Sequence, residues 1–321
     1  GLGLRRLIST KKCVSKIVDF GANQVFDATT YTCLLFLVKE VSRSFEYATS
    51  DANAQTLHSV PFERIAMETL TTATWLFVNS KAHPVLEKLS RQSVRLLDLP
   101  AEMSRGSSSG DDSVFMLPRN SGKVDKELLR LPVFATDFNR YYFTISKDWQ
   151  IVFPYKLEKG CYRLIDEDEL RNKFPKTYQY LLSHQAELKR RKQFRTWFSF
   201  SAPRNLDLHD KAQIMVPLLA EKGSFAFIPK EARGKLCPMA SGGFSVTVSS
   251  SCQLRPEYVL GLLNSRLLFW KLRNDSNVFR GGWITCTKQY FGELLIRTIN
   301  FSDPADKSRH DKMVELVEQM L

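Results

Sequence analysis

The sequence predicts a mixed α+β fold, on three observations. Residues 16–20 (KIVDF) and 30–38 (TYTCLLFLV) are apolar runs of strand length, and residues 244–248 (FSVTV) alternate as a half-buried strand does. Residues 174–188 and 256–273 instead space their apolar side chains helically: Tyr178, Leu181, Leu182 and Leu188 in the first, Val259, Leu262, Leu263 and Leu267 in the second. At 321 residues the chain can hold two or three domains and a sizeable core. Apolar residues at 43% and charged residues at 25% are those of an ordinary globular protein. The formal net charge of +12 and a pI near 9.4 favour a polyanionic partner. No apolar run has bilayer-spanning length, and no signal-peptide pattern opens the chain. Six scattered cysteines without a CxxC pair read as reduced thiols of a cytoplasmic protein, and five dispersed histidines give no metal-ligand spacing.

In order, residues 4–12 form a short basic helix, and residues 16–20 a strand closed by Gly21. A loop, 22–29, carries Val25 and Phe26 into a long buried strand, 30–38. This hairpin-like unit has too few strands nearby to make a sheet alone. Residues 42–59 read as an irregular connection, 62–70 and 84–97 as helices, and 75–78 as a short buried piece. Residues 106–110 (GSSSG) formally match a nucleophile elbow. That motif needs a strand before it and a helix after it. The sequence predicts a strand at 114–117 instead, so the match reads as accidental. A short helix is expected at 126–131 and a strand at 149–155. Acidic residues 166–169 open a helix at its favourable end.

Residues 174–205 carry the strongest pattern. Pro175 suits a first helical position. Beyond Leu188 follow Lys189, Arg190, Arg191 and Lys192, then Phe194, Arg195, Trp197, Phe198 and Phe200. Cations interleaved with rings suit a nucleic-acid backbone and its bases. The same residues also serve as dipole-offsetting charges at a helix end, followed by core aromatics. Taken alone, the stretch leaves both open. Strands at 211–219 and 224–228, a helix at 256–273 broken near Asn264-Ser265, and a strand at 294–299 follow. A final helix starts at residues 302–305 and is striped by Met313, Leu316, Val317 and Met320.

The motifs together resemble one family. The pattern IVDFG…QVF…TTYTCLLFL is similar to the last strand pair of amino-type DNA methyltransferases, as in the adenine-N6 enzymes of type IIG restriction–modification systems. FPKTYQYLL with Arg190-Arg191, Trp197 with Pro203-Arg204-Asn205, the glycine-rich 106–110 loop, and FRGGWITCTKQY (279–290) resemble a TaqI-like specificity domain. The resemblance implies that residues 1–41 end a Rossmann-like methyltransferase core, 42–99 link it, and 100–321 form a target-recognition domain of a bacterial, cytoplasmic phage-defence enzyme. It implies duplex DNA as partner, together with the catalytic domain of the same polypeptide. It also implies that Phe26 stacks on the flipped adenine.

Phosphate contacts are expected from cations such as Lys189, Arg190, Arg191, Arg195 and Arg204, and Arg105 and Lys192 join them in the DNA-binding set. Trp197 is assigned to the DNA-binding set, and base readout to Asn205, Arg280, Lys288 and Gln289. Gly281 and Gly282 allow close backbone approach, and the 106–110 loop is expected to offer backbone N–H groups to phosphates. The chain has no Pro-Pro dipeptide, no strand–glycine loop–helix and no nuclease-type carboxylate–lysine spacing. It is therefore expected to recognise DNA without methylating or cutting it, and to hold no S-adenosylmethionine, which the full-length enzyme would use. Two other readings stay open. One is a single-stranded RNA-binding module stacking bases on Trp197 and Phe200. The other is a protein-interaction scaffold, favoured by a buried Trp197 beside evenly spread charge.

Overall fold

The computed structural model of the chain describes residues 2–21, 23–27, 32–51, 57, 59–72, 75, 77, 83–145, 148–276, 278 and 282–321. Helix α1 (Leu2–Lys11) buries only Ile8. Strand β1 (Val14–Asp19) then pairs antiparallel with β2 (Cys33–Leu37), across a register shift between Val14 and Lys16. The expected long buried strand is thus five residues long, and Leu34, Phe36 and Leu37 on it are exposed. Residues 30 and 31 of that expectation lie outside the described residues.

The expectation that the hairpin lacks partners is also corrected. Strand β3 (Ser44–Thr49), in a segment expected to be irregular, runs parallel to β1 and buries Phe45 and Ala48. Strand β4 (Glu63–Ala66), expected to be helical, pairs antiparallel with β3, and a 3-10 turn at Met67–Thr69 follows. Cross-strand pairing decides here, because Phe45 opposite Ile65 belongs to one apolar cluster with Ile8, Val14, Ile17, Met67 and Leu70. The sheet order is β2-β1-β3-β4, which leaves β2 at an edge. Helix α2 (His83–Arg91) ends six residues earlier than expected. The backbone at residues 96–97 instead donates to the carbonyls of Leu294 and Gly292.

The chain divides into two compact units: Gly1–Ser93 with Trp270–Thr285, and Val94–Phe269 with Cys286–Leu321. In the second unit β5 (Ala101–Arg105) leads through the 106–110 loop into a helical turn, α3 (Asp112–Phe115), where a strand was expected. Asp111 sets this turn by accepting the Val114 N–H at 3.4 Å. Strands β6 (Met116–Pro118), β7 (Leu129–Val133), β8 (Tyr141–Tyr142) and β9 (Trp149–Val152) follow. The helix expected at 126–131 is only a 3-10 turn, Lys126–Leu128, before β7. Strands β10 (Tyr155–Glu158) and β11 (Cys161–Leu164) form a hairpin. Three helices come next, α4 (Glu167–Lys173), α5 (Pro175–Ser183) and α6 (Gln185–Leu188), and then a helical turn, α7 (Leu206–His209).

Strands β12 (Ile214–Val216), β13 (Ala226–Phe227), β14 (Leu236–Pro238) and β15 (Phe244–Val248) complete two sheets, ordered β14-β7-β9-β6 and β5-β15-β12-β13-β8. Helices α8 (Pro256–Leu263) and α9 (Arg266–Asp275) are separated at the expected point. Buried Asn264 explains the break: its side chain accepts the Phe225 N–H at 3.1 Å and donates to the Phe225 carbonyl at 2.8 Å. Strand β16 (Leu295–Arg297) and helix α10 (Pro304–Glu318) close the chain. On α10 the inward face is His310, Val314 and Val317, and Leu316 and Met320 of the expected stripe are exposed. The architecture is the mixed α+β fold the sequence predicts, built from several small sheets. No helix among the described residues is long and apolar enough to cross a membrane.

Candidate nucleic-acid interface

Asp166 starts α4 by accepting the Asp168 N–H at 2.9 Å, with Glu167, Asp168 and Glu169 in the first turn. Tyr178, Leu181 and Leu188 of the next two helices are buried, whereas Leu182 is exposed. Helical structure stops at Leu188. Between Glu187 and Asp207 the sequence contains six cations and no carboxylate.

The structure sorts this run into two groups. Trp197 is only 8% exposed and its Nε1 donates to Glu167 at 3.3 Å, so its ring offers no stacking face. Phe198 and Phe200 are buried, Phe200 lying edge-on to Phe115 at 5.2 Å and to Tyr155 at 5.3 Å. Each such ring contributes roughly 1.5–3 kcal/mol by burial. Arg191 also turns inward. Its guanidinium donates to the carbonyls of Ser109 (2.7 Å), Ser199 (2.8 Å), Trp197 (2.6 Å) and Leu188 (2.9 Å). Burial lowers its pKa from the ordinary arginine range. The Arg191 guanidinium is committed to folding this loop, which corrects its expected place among the phosphate contacts.

The remaining cations face solvent. Lys189 donates to the Gln185 side chain at 3.1 Å. Arg190, Lys192, Arg195 and Arg204 are exposed, and none forms an ion pair with a described residue. Arg195 and Asn205 line a cleft of about 650 Å³ with Tyr155, Tyr162, Arg163 and Thr196. Asn205 has φ +46°, a conformation that costs a non-glycine residue energy and that Asn tolerates best. Its side chain makes no capping bond to α7.

Behind the cleft, Tyr162 donates to Asp210 at 2.5 Å, and Arg130 contacts the Tyr162 hydroxyl and pairs with Asp210 at 2.9 Å. The Arg130 guanidinium stacks on Phe153 at 4.0 Å. Tyr162 and Arg163 were not singled out from the sequence. The signal for their hairpin was Lys159-Gly160 between two strand-length runs.

The 106–110 loop corrects two expectations. Its backbone is not offered to phosphate: the N–H groups of Gly106, Ser107 and Ser108 donate to Gly243, Pro238 and Ala202 carbonyls. Gly106 is there because a Cβ would sit 2.4 Å from the Met239 carbonyl oxygen. A strand does precede the loop and a helical turn does follow it, so the sequence argument against the elbow fails on local structure. The chemistry still fails. Ser107 exchanges hydrogen bonds with the Arg204 backbone, Ser109 bonds Asp112, and Ser108 is bridged to Ala202 with no histidine among the described residues bonded to it.

The other expected residues are not among those that line the cleft. Phe26 is 62% exposed on the loop after β1, where Asp19 accepts the Gly21 N–H at 2.8 Å and Asn23 donates to the Ser50 carbonyl. Arg105 is exposed at the end of β5. Lys288 and Gln289 are exposed on the helical turn Lys288–Phe291, whose Phe291 packs on Phe225 and Phe244. Gly282 has φ +80°, and a Cβ there would meet the Arg273 guanidinium at 3.1 Å. Arg280 and Gly281 lie outside the described residues. Among the described residues no cluster of three metal-ligating side chains occurs, and all six cysteines are free thiols.

No family model matches the chain. Over 97% of its length it is 24% identical to the type II restriction enzyme and methyltransferase RM.Eco57I of Escherichia coli. Among solved structures it aligns with the type IIL restriction–modification enzyme MmeI in complex with DNA, at a TM-score of 0.54 and 12% identity, covering 96% of this chain and 38% of that one. The type IIG restriction endonuclease BpuSI aligns at 0.48 and 13% identity, covering 99% and 40%. The likeness to MmeI shows a shared fold. The chain is thus a homologue of a type II restriction–modification enzyme, and it spans about a third (34%) of that relative's length.

Proposed function

We propose that the chain is the DNA-specificity portion of an adenine-N6 restriction–modification methyltransferase, and that it recognises duplex DNA. One observation carries this reading. Arg190, Lys192, Arg195 and Arg204 are exposed and unpaired among the described residues, on a run with no carboxylate. An ordinary solvated stretch mixes both signs of charge, whereas this run of exposed cations suits phosphates. Phe26 takes the role of stacking on the extruded adenine, for which an exposed ring is the physical requirement. Arg105, Lys288, Gln289, Arg280, Gly281 and Gly282 remain proposed contacts.

S-adenosylmethionine belongs, in this reading, to the catalytic domain of the full-length enzyme. In the first unit β1 is followed by its antiparallel partner β2. The exposed apolar edge strand β2 supports that catalytic domain as the partner. No strand among the described residues pairs with its outer edge, and Leu34, Phe36 and Leu37 are 42–53% exposed.

Burial of Trp197 and Phe200 removes the rings on which a single-stranded RNA reading rested. It meets one half of the scaffold criterion, and the run of six cations without a carboxylate between Glu187 and Asp207 counts against the other. Competition anisotropy tests the proposal: duplex DNA should displace a labelled duplex, and single-stranded RNA should not. Methyl transfer by the isolated chain would contradict it.

A further inference from the structure

The hairpin β10–β11 is a two-stranded sheet that no other strand among the described residues joins. Its register runs from Tyr155 opposite Leu164 to Glu158 opposite Cys161. Lys159 at φ +50° and Gly160 at φ +80° close it, the tight turn whose twist matches the strands. The base is held rigidly. The Tyr155 hydroxyl accepts the Phe200 N–H at 2.8 Å, Tyr162 is fixed by Asp210 and Arg130, and Lys156 pairs with Glu158 at 2.8 Å and with Glu169.

The far half is bare. Leu157, Lys159, Gly160 and Cys161 are exposed; nearer the base, opposite Lys156 and on the other face from Leu157, the Arg163 side chain is 72% exposed, with its nearest carboxylate, Glu158, 4.0 Å away. Four-residue strands are roughly 13 Å long and lie about 4.8 Å apart. A ribbon of that size fits the major groove of B-form DNA, about 12 Å wide and 8.5 Å deep, and not a minor groove about 6 Å wide. The deep, narrow major groove of A-form RNA excludes it.

We propose that this hairpin is a ribbon that enters the DNA major groove, with Arg163 reading a base edge. The inference rests on the duplex-DNA reading above. It adds a base-reading element on rigid secondary structure to the phosphate contacts of the neighbouring run. Arginine's planar fork matches the paired acceptors of guanine, so a guanine is the expected base. Arg195, which lines the same cleft, holds a phosphate.

The test is site selection from a randomised duplex library by the intact chain, followed by anisotropy on the selected site and a scrambled duplex. R163A should weaken the selected site about 5- to 150-fold, leave the scrambled duplex within about two-fold, and make one position of the site degenerate. R163K keeps the charge but loses the fork, and should lose the same preference. R195A should weaken both duplexes alike. If R163A weakens both alike, or changes neither, the ribbon proposal is overturned while DNA binding stands. If the wild-type chain binds no duplex, the DNA reading falls and the ribbon falls with it.

Discussion

Adjacent Arg190 and Arg191 should behave as opposites when each is replaced by alanine. Arg191 supplies charge-assisted bonds to three carbonyls from other parts of the fold, those of Ser109, Trp197 and Ser199, at 2.6–2.8 Å. Such bonds are worth about 1.5–3 kcal/mol each. The site is only half-buried, so water can replace part of the loss. The expected cost of R191A is therefore about 3–4 kcal/mol. For a unit of this size that corresponds to roughly 6–16 °C in Tm, at about 2–4 °C per kcal/mol. R191K should recover no more than about half, because one ammonium cannot span three diverging carbonyls. R190A should stay within about 0.5 kcal/mol, as an exposed and unpaired side chain does. Thermal melts followed by near-ultraviolet circular dichroism measure both. Equal losses for the two variants, or an unchanged R191A, would refute the division of the run into folding and contacting cations.

Three further outcomes follow from the same geometry. G106A should destabilise by about 2–3 kcal/mol in urea denaturation, since its Cβ meets a backbone oxygen at 2.4 Å that cannot rotate away. Burial lowers the pKa of His209 to about 4, with nearby Arg130 adding to it. Between its ordinary value near 6.5 and pH 4 the unfolded chain therefore binds the extra proton, and stability rises with pH across that window. H209L should flatten that part of the stability–pH curve. On the edge strand, L34K with F36K should reduce self-association of the isolated chain in sedimentation velocity without lowering its Tm, because both side chains are exposed. Precipitation unchanged by the pair would place the association surface elsewhere.

Much of the second unit was legible because its signals are local. Pro175 and the Tyr178–Leu181–Leu188 spacing mark helices whatever surrounds them, and Asn264-Ser265 marks the break between two others. The first unit was read poorly for the opposite reason. Nothing in residues 44–49 or 63–66 announces a strand until β1 is beside them, and Glu63–Ala66 carries helix-compatible residues that pairing overrides. In the candidate site, charge was visible but orientation was not. Arg190 and Arg191 are indistinguishable in sequence, and the three carbonyls that separate them are set by contacts as far as 82 residues away. Trp197 likewise takes its place from Glu167, 30 residues earlier. The glycine-rich loop was assigned to phosphate because its small residues permit close approach. They do, but the approaching group is the backbone of residues 238–239.

The central claim is that the exposed cations of residues 189–204 neutralise DNA phosphates, and the salt dependence of duplex binding tests it most directly. Lys189, Arg190, Lys192, Arg195 and Arg204, if all engaged, predict a slope of log K against log salt near −4.5, at about −0.9 per phosphate. Replacing Arg195 and Arg204 together should bring the slope to about −2.7 with the fold intact. A wild-type chain that binds no duplex at low salt, or a double variant with an unaltered slope, would contradict the account.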